Sequence, residues 1–154
     1  MTPSLTTPRT IDLDDLESFE STFSTERKIA AVSANPADEA KAFVDACTEC
    51  ERVCFETANH CLLQGADVRE IQLLRNCARI CRTSTAAWSV GSRLYSEVVR
   101  AAARLCGECA TACERLTSDR QLQICADMCR ECAAACERMS QVQLSSANSL
   151  VQSA

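Results

Sequence analysis

Thirteen cysteines punctuate this chain, and their spacing constrains its fold more than any other feature. Each lies three, four or seven residues from another: Cys47, Cys50, Cys54 and Cys61; Cys77 and Cys81; Cys106, Cys109 and Cys113; Cys125, Cys129, Cys132 and Cys136. A helix turns about 100° per residue, so residues at those separations share one face. Charged residues such as Glu51, Arg52, Glu114, Arg115, Glu137 and Arg138 fall on other faces. The pattern predicts helices whose inward seams carry thiols where Leu, Ile or Val would ordinarily stand.

Only 3 Gly and 3 Pro, with 4% aromatics, fit an all-α chain better than a sheet protein. Asn35-Pro36 is a helix start, and the first bundle helix is expected to reach about Gln64 and stop at Gly65. Asp67 with Glu70 opens a second, running to about Ser89 before Gly91. A third is expected over about Ser92 to Leu116. A fourth should run from about Asp119 to Gln143, with Ser118 and Gln121 as its cap pattern. Links this short favour antiparallel neighbours, hence an up-down-up-down four-helix bundle. "CTECERVC", "CGECATAC" and "CRECAAAC" share C-x2-C-x3-C, which reads as a repeated helical hairpin.

Three segments follow from this reading. Residues 1–33 form an N-terminal extension, flexible at first and then a short amphipathic helix carrying Leu13, Leu16, Phe19 and Phe23. Residues 34–144 form the cysteine-rich bundle, and residues 145–154 a flexible tail. The extension is a candidate interface helix or docking peptide for a larger assembly.

A net charge of −5 offers no basic stripe for nucleic acid. No run approaches the length of a membrane span. The N-terminus lacks both a basic, apolar leader and a twin-arginine pair, so a reducing cytoplasmic setting is expected.

One or two buried cysteines would need no explanation beyond packing. Thirteen on one set of faces do, because so many small side chains leave a core under-filled. Disulfides are one alternative, and the twin C-x3-C spacing of Cys109, Cys113, Cys125 and Cys129 matches disulfide-linked helical hairpins. Within one helix, however, Cβ atoms at these spacings lie about 5–6 Å apart, and a disulfide needs about 3.5–4.5 Å. Metal is the other. Bonds of about 2.3 Å place two sulfurs across one ion at roughly the helical separation.

The donors are uniformly soft, which selects Cu(I), zinc or iron–sulfur clusters. Zinc prefers isolated tetrahedra, and iron–sulfur clusters usually draw cysteines from a wrapping loop. Cu(I) accepts two or three thiolates, which can bridge, so continuous rows favour it. A zinc or general soft-metal buffer, an iron–sulfur electron carrier and a disulfide-stapled scaffold remain the alternatives. Cys125-x3-Cys129-x2-Cys132 also matches the cluster triad of radical S-adenosylmethionine enzymes. Those carry it on a loop of a much larger barrel, whereas here it lies within a helix.

With "CTECERVCFETANHC", "CARIC", "CGECATAC" and "CADMCRECAAAC" on four helices, the sequence resembles the bacterial four-helix-bundle copper storage proteins from about Phe43 to Met139. The resemblance implies storage rather than catalysis. It also implies several Cu(I) ions on core thiolates, a homo-oligomer such as a tetramer, exchange with a copper donor or acceptor, and the cytosolic type. All thirteen cysteines are then candidate ligands. His60, Glu70 and Met128 are candidate entry or auxiliary ligands, although His60 equally suits a surface position near a helix C-terminus and Met128 ordinary packing. The second helix departs from the fuller pattern, with Ser84 and Trp88 inward after "CARIC". Copper is expected to enter near His60 and Cys61. Phe43, Trp88, Tyr95, Val99 and Met139 are expected to plug the opposite end.

Overall fold

The computed structural model describes residues 35–116 and 119–152. They form four helices: α1 (Pro36–Leu63), α2 (Val68–Ser89), α3 (Tyr95–Glu114) and α4 (Arg120–Gln152). No strand occurs among the described residues. The proposed extension 1–33, its amphipathic helix and Ser118 lie outside them.

Local chemistry sets the ends. The Asn35 side chain accepts from the Ala37 amide at 3.1 Å, with Pro36 as the first helical residue. Asp67 caps α2 by accepting from the Arg69 amide at 2.7 Å. Both α1 and α2 close in Schellman motifs. Gly65 takes φ 71° and Gly91 φ 60°, while Ala66 and Ser92 donate back to Cys61 and Ala87.

Two boundaries differ from the sequence expectation, the α3 start and the α4 end, while the α4 start falls where it was expected. Helix α3 begins at Tyr95, because Ser92 is spent on a turn that accepts from Leu94 and Tyr95. Asp119 caps α4, its carboxylate accepting from the Gln121 amide at 2.8 Å. Helix α4 continues to Gln152, past the expected end at Gln143 and into the segment read as a flexible tail. Between these two positions stands neither glycine nor proline to end it.

Each helix packs on two others, α1 on α2 and α4, and α3 on α2 and α4. Cross-helix pairs fix the directions. Cys47 meets Cys136 while Cys54 meets Cys125, so α1 and α4 run oppositely. Cys77 meets Cys106 while Trp88 meets Tyr95, so α2 and α3 also run oppositely. The ion pairs Glu51–Arg82 and Glu114–Arg130 link α1 to α2 and α3 to α4. The result is the antiparallel bundle.

Its interior is sulfur over most of its length, with every cysteine buried and free. Small Ala58, Ala78, Ala102 and Ala110 let the backbones approach between the thiols. One end is apolar. Phe43 and Tyr95 meet edge-on at 6.0 Å between ring centroids, and Trp88 lies 5.3 Å from Tyr95. Val99 and Met139 are buried in the same core, while Trp88 packs against it half-buried.

Candidate metal centre

The cysteine seams converge because antiparallel helices present their inward rows at matching heights. From Cys136 the sulfurs run to Cys47 at 3.8 Å, Cys132 at 3.7 Å, Cys81 at 3.7 Å and Cys106 at 3.6 Å. They continue to Cys77 at 3.6 Å, Cys129 at 4.0 Å, Cys54 at 3.5 Å and Cys125 at 3.8 Å. Cys50 joins the row through Cys129 at 3.8 Å and Cys54 at 3.9 Å. Even the shortest of these lies far beyond the roughly 2.05 Å of a disulfide.

Four clusters have all their sulfurs within 4.8 Å of one another. They are Cys47, Cys132 and Cys136; Cys50, Cys77, Cys81 and Cys106; Cys50, Cys54, Cys77 and Cys129; and Cys54, Cys109, Cys125 and Cys129. An ion with bonds of about 2.3 Å holds sulfurs no more than about 4.6 Å apart. The clusters therefore need little rearrangement to close on one. The third cluster owns no sulfur of its own, since each of its members also belongs to the second or fourth. Filling all of them requires bridging thiolates.

Proton sharing prepares the row. Donation from Cys132, whose sulfur lies 3.7 Å away, holds the Cys47 thiol below its usual range. Sulfurs held toward thiolate are the form that binds soft metal.

Cys61 and Cys113 stand outside the clusters, at the end opposite the aromatic plug. They alone among the cysteines keep a trace of exposure, 3% each. A small cavity of about 10 Å³ opens there, lined by Cys61, Cys109, Cys113 and Glu70 among apolar neighbours. It is roughly large enough for one water. Burial first, then the charges of Glu70 and Asp119, push the Cys61 thiol up.

The auxiliary candidates divide. Glu70 does line the mouth. His60 is instead tied across the helix ends, its Nε2 2.6 Å from Asp119 Oδ2. Met128 is buried in the hydrophobic core. Sequence reasoning missed Asp119, whose double use as cap and His60 partner needed the α1–α4 pairing. It also missed Thr57, a seam position between Cys54 and Cys61. Thr57 donates to the Val53 carbonyl at 2.7 Å and accepts from Gln121 at 3.0 Å, a polar crossbar below the mouth. Its spacing from Cys54 and Cys61 was the available signal.

Known proteins carry the same architecture. The family model described as Csp, copper storage protein, matches residues 36–141. The chain is 35% identical to a crystallised protein of Nitrosospira multiformis, with a TM-score of 0.63 over 69% of this chain and 98% of that one. It is 29% identical to the Cu(I)-bound copper storage protein BsCsp3, with a TM-score of 0.60 over 66% of this chain and 98% of that one. It is 30% identical to apo copper storage protein 3 from Bacillus subtilis, at the same TM-score and coverages. No curated protein sequence matches significantly. No helix among the described residues is long and apolar enough to cross a membrane. A cysteine-lined four-helix bundle, matched over most of its length by one family, leads to a single assignment: the chain belongs to the copper storage protein family.

Proposed function

We propose that the protein stores several Cu(I) ions per chain on the thiolates of its thirteen cysteines, as a cytosolic, non-catalytic reservoir. The observation that carries this reading is the continuous run of buried sulfurs in clusters that share members. A zinc buffer would draw some support from the four-sulfur groups. Their shared Cys50, Cys54, Cys77 and Cys129 argue against separate tetrahedra and for bridged ions of low coordination number.

Copper enters at the end bearing Cys61, Cys113 and Glu70 and moves inward by thiolate exchange through Cys109 and Cys125. Each ion displaces thiol protons, so uptake strengthens as pH rises. The aromatic end closes the store. By resemblance the assembly is a homotetramer that exchanges copper with a donor or acceptor at the open ends.

Anaerobic titration of the reduced protein with Cu(I) against a competing chelator tests the reading. Many tightly held ions per chain are expected, whereas saturation at one or two would overturn it. Replacing Cys47, Cys50 and Cys54 together should lower capacity while leaving the helical signal intact.

A further inference from the structure

Tyr95 ends the aromatic plug with a feature that packing alone does not explain. Its ring is fixed against Phe43 and Trp88, and the residue is 97% buried, at 3% exposure. Its hydroxyl is the one buried side-chain oxygen or nitrogen among the described residues with no hydrogen-bond partner. Buried phenols ordinarily find one, and Phe would fill the space without that cost. Phe43 stands one turn from Cys47 on α1, and Met139 one turn from Cys136 on α4, so the plug abuts the last sulfur cluster.

We infer that Tyr95 is a positioning residue for that cluster: its hydroxyl donates a hydrogen bond to a Cys47 or Cys136 thiolate once Cu(I) occupies the Cys47, Cys132 and Cys136 group. The inference rests on the storage reading above and extends it to a specific residue and ion. In the empty cluster the sulfurs of Cys47, Cys132 and Cys136 satisfy one another. Copper removes their protons and leaves sulfur lone pairs carrying negative charge. A phenolic O–H donating to such an anion is stronger than a neutral bond. Donors of this kind orient metal ligands and tune how tightly they hold. A phenol keeps its proton at neutral pH, its ordinary pKa being about 10, so it remains a donor beside the loaded cluster.

The test compares Tyr95→Phe with the parent chain, using Cu(I) and a competing chelator. The hydroxyl, with its ring kept, is all that changes. The expected apo variant melts at or above the parent temperature, because an unpartnered buried hydroxyl has gone. In the loaded variant one fraction of the Cu(I), that held by the Cys47, Cys132 and Cys136 group, should pass to chelator about tenfold more readily, with the remaining ions held as before. A purely structural role would move both states in the same direction. Tyr95 is the only tyrosine, so ultraviolet resonance Raman can follow its hydroxyl in the parent protein. A donor signature should appear on loading and be absent from Cys47→Ala/Cys136→Ala. A parent chain that takes up no Cu(I) sinks the storage reading and this inference together. Full parent loading, with an unchanged chelator curve in Tyr95→Phe or no change at the phenol, overturns the inference alone.

Discussion

At the residue scale, the cysteines were legible because a helix makes three- and four-residue spacing a geometric statement. What each side chain does at the mouth was less legible, because it depends on neighbours from other helices. Cys61 shows the difference. Its position was readable from Cys54, but its raised thiol depends on burial and on Glu70, which α2 supplies. A raised thiol keeps its proton to higher pH than a free cysteine, so copper capture at the mouth should accelerate as pH rises. Glu70→Gln removes a charge that opposes ionisation of Cys61. The midpoint of the uptake rate against pH should then move to lower pH, with final capacity unchanged. Stopped-flow uptake across a pH series checks this, and an unshifted midpoint would separate Glu70 from the entry step. His60 was readable only as an ambiguity. Its pairing with Asp119 holds that carboxylate below its usual range. Asp119→Asn keeps the α4 cap, since Asn caps as well as Asp, while losing the charge. The depressed carboxylate contributes stability above its ordinary pKa of 3.8 and loses it as pH falls through the lower folded value. The parent should therefore melt higher than Asp119→Asn near neutrality, and the two melting curves should converge in strong acid.

At the element scale, helix starts at Asn35 and Asp67 and stops at Gly65 and Gly91 could be read directly, because single residues decide them. The α3 start and the α4 end could not. Helix α3 was expected from about Ser92, but the turn that Ser92 builds delays it to Tyr95. The small polar residues near the C-terminus look like a tail, yet nothing among them stops a helix. The three glycines give an internal control on this local chemistry. A Cβ at any of them would meet nothing within 4 Å, so sterics with neighbours drop out and backbone conformation decides. Gly65 and Gly91 hold positive φ, where Ala costs about 1–2 kcal/mol. Gly107 lies inside α3 without positive φ, where Ala gains roughly 0.5–1 kcal/mol. Chemical denaturation of the apo protein should therefore show Gly65→Ala and Gly91→Ala destabilised and Gly107→Ala stabilised. Destabilisation by Gly107→Ala would mean that the α3 seam does not tolerate a neighbouring methyl group.

At the scale of the whole molecule, the bundle has a polarity that no single helix contains. Sulfur fills the middle, a carboxylate and two slightly exposed thiols mark one end, and aromatic rings close the other. That polarity followed from the sequence once antiparallel order was assumed, because Cys61, Cys113 and Cys125 all lie next to helix ends. The sharing of sulfurs between clusters did not, since it depends on the relative heights of four rows. Sharing has a thermodynamic consequence. A store whose sites form only in the folded bundle must couple loading to folding, each filled site adding RT ln(1 + [L]/Kd) to stability. At 100-fold excess over Kd that is about 2.7 kcal/mol per site. Unfolded thiols also bind Cu(I), so the measured gain should fall below the sum over sites. The apparent Tm should climb with each equivalent of Cu(I) added and level off at the binding capacity. Addition of a competing chelator should bring it back to the apo value. Because protons compete for the same sulfurs, the climb should shrink as pH falls and grow as it rises. Thermal melts at graded copper loading and two pH values test this coupling directly. A Tm independent of loading would mean that folded and unfolded chains hold Cu(I) equally well, and would overturn storage in a preformed core.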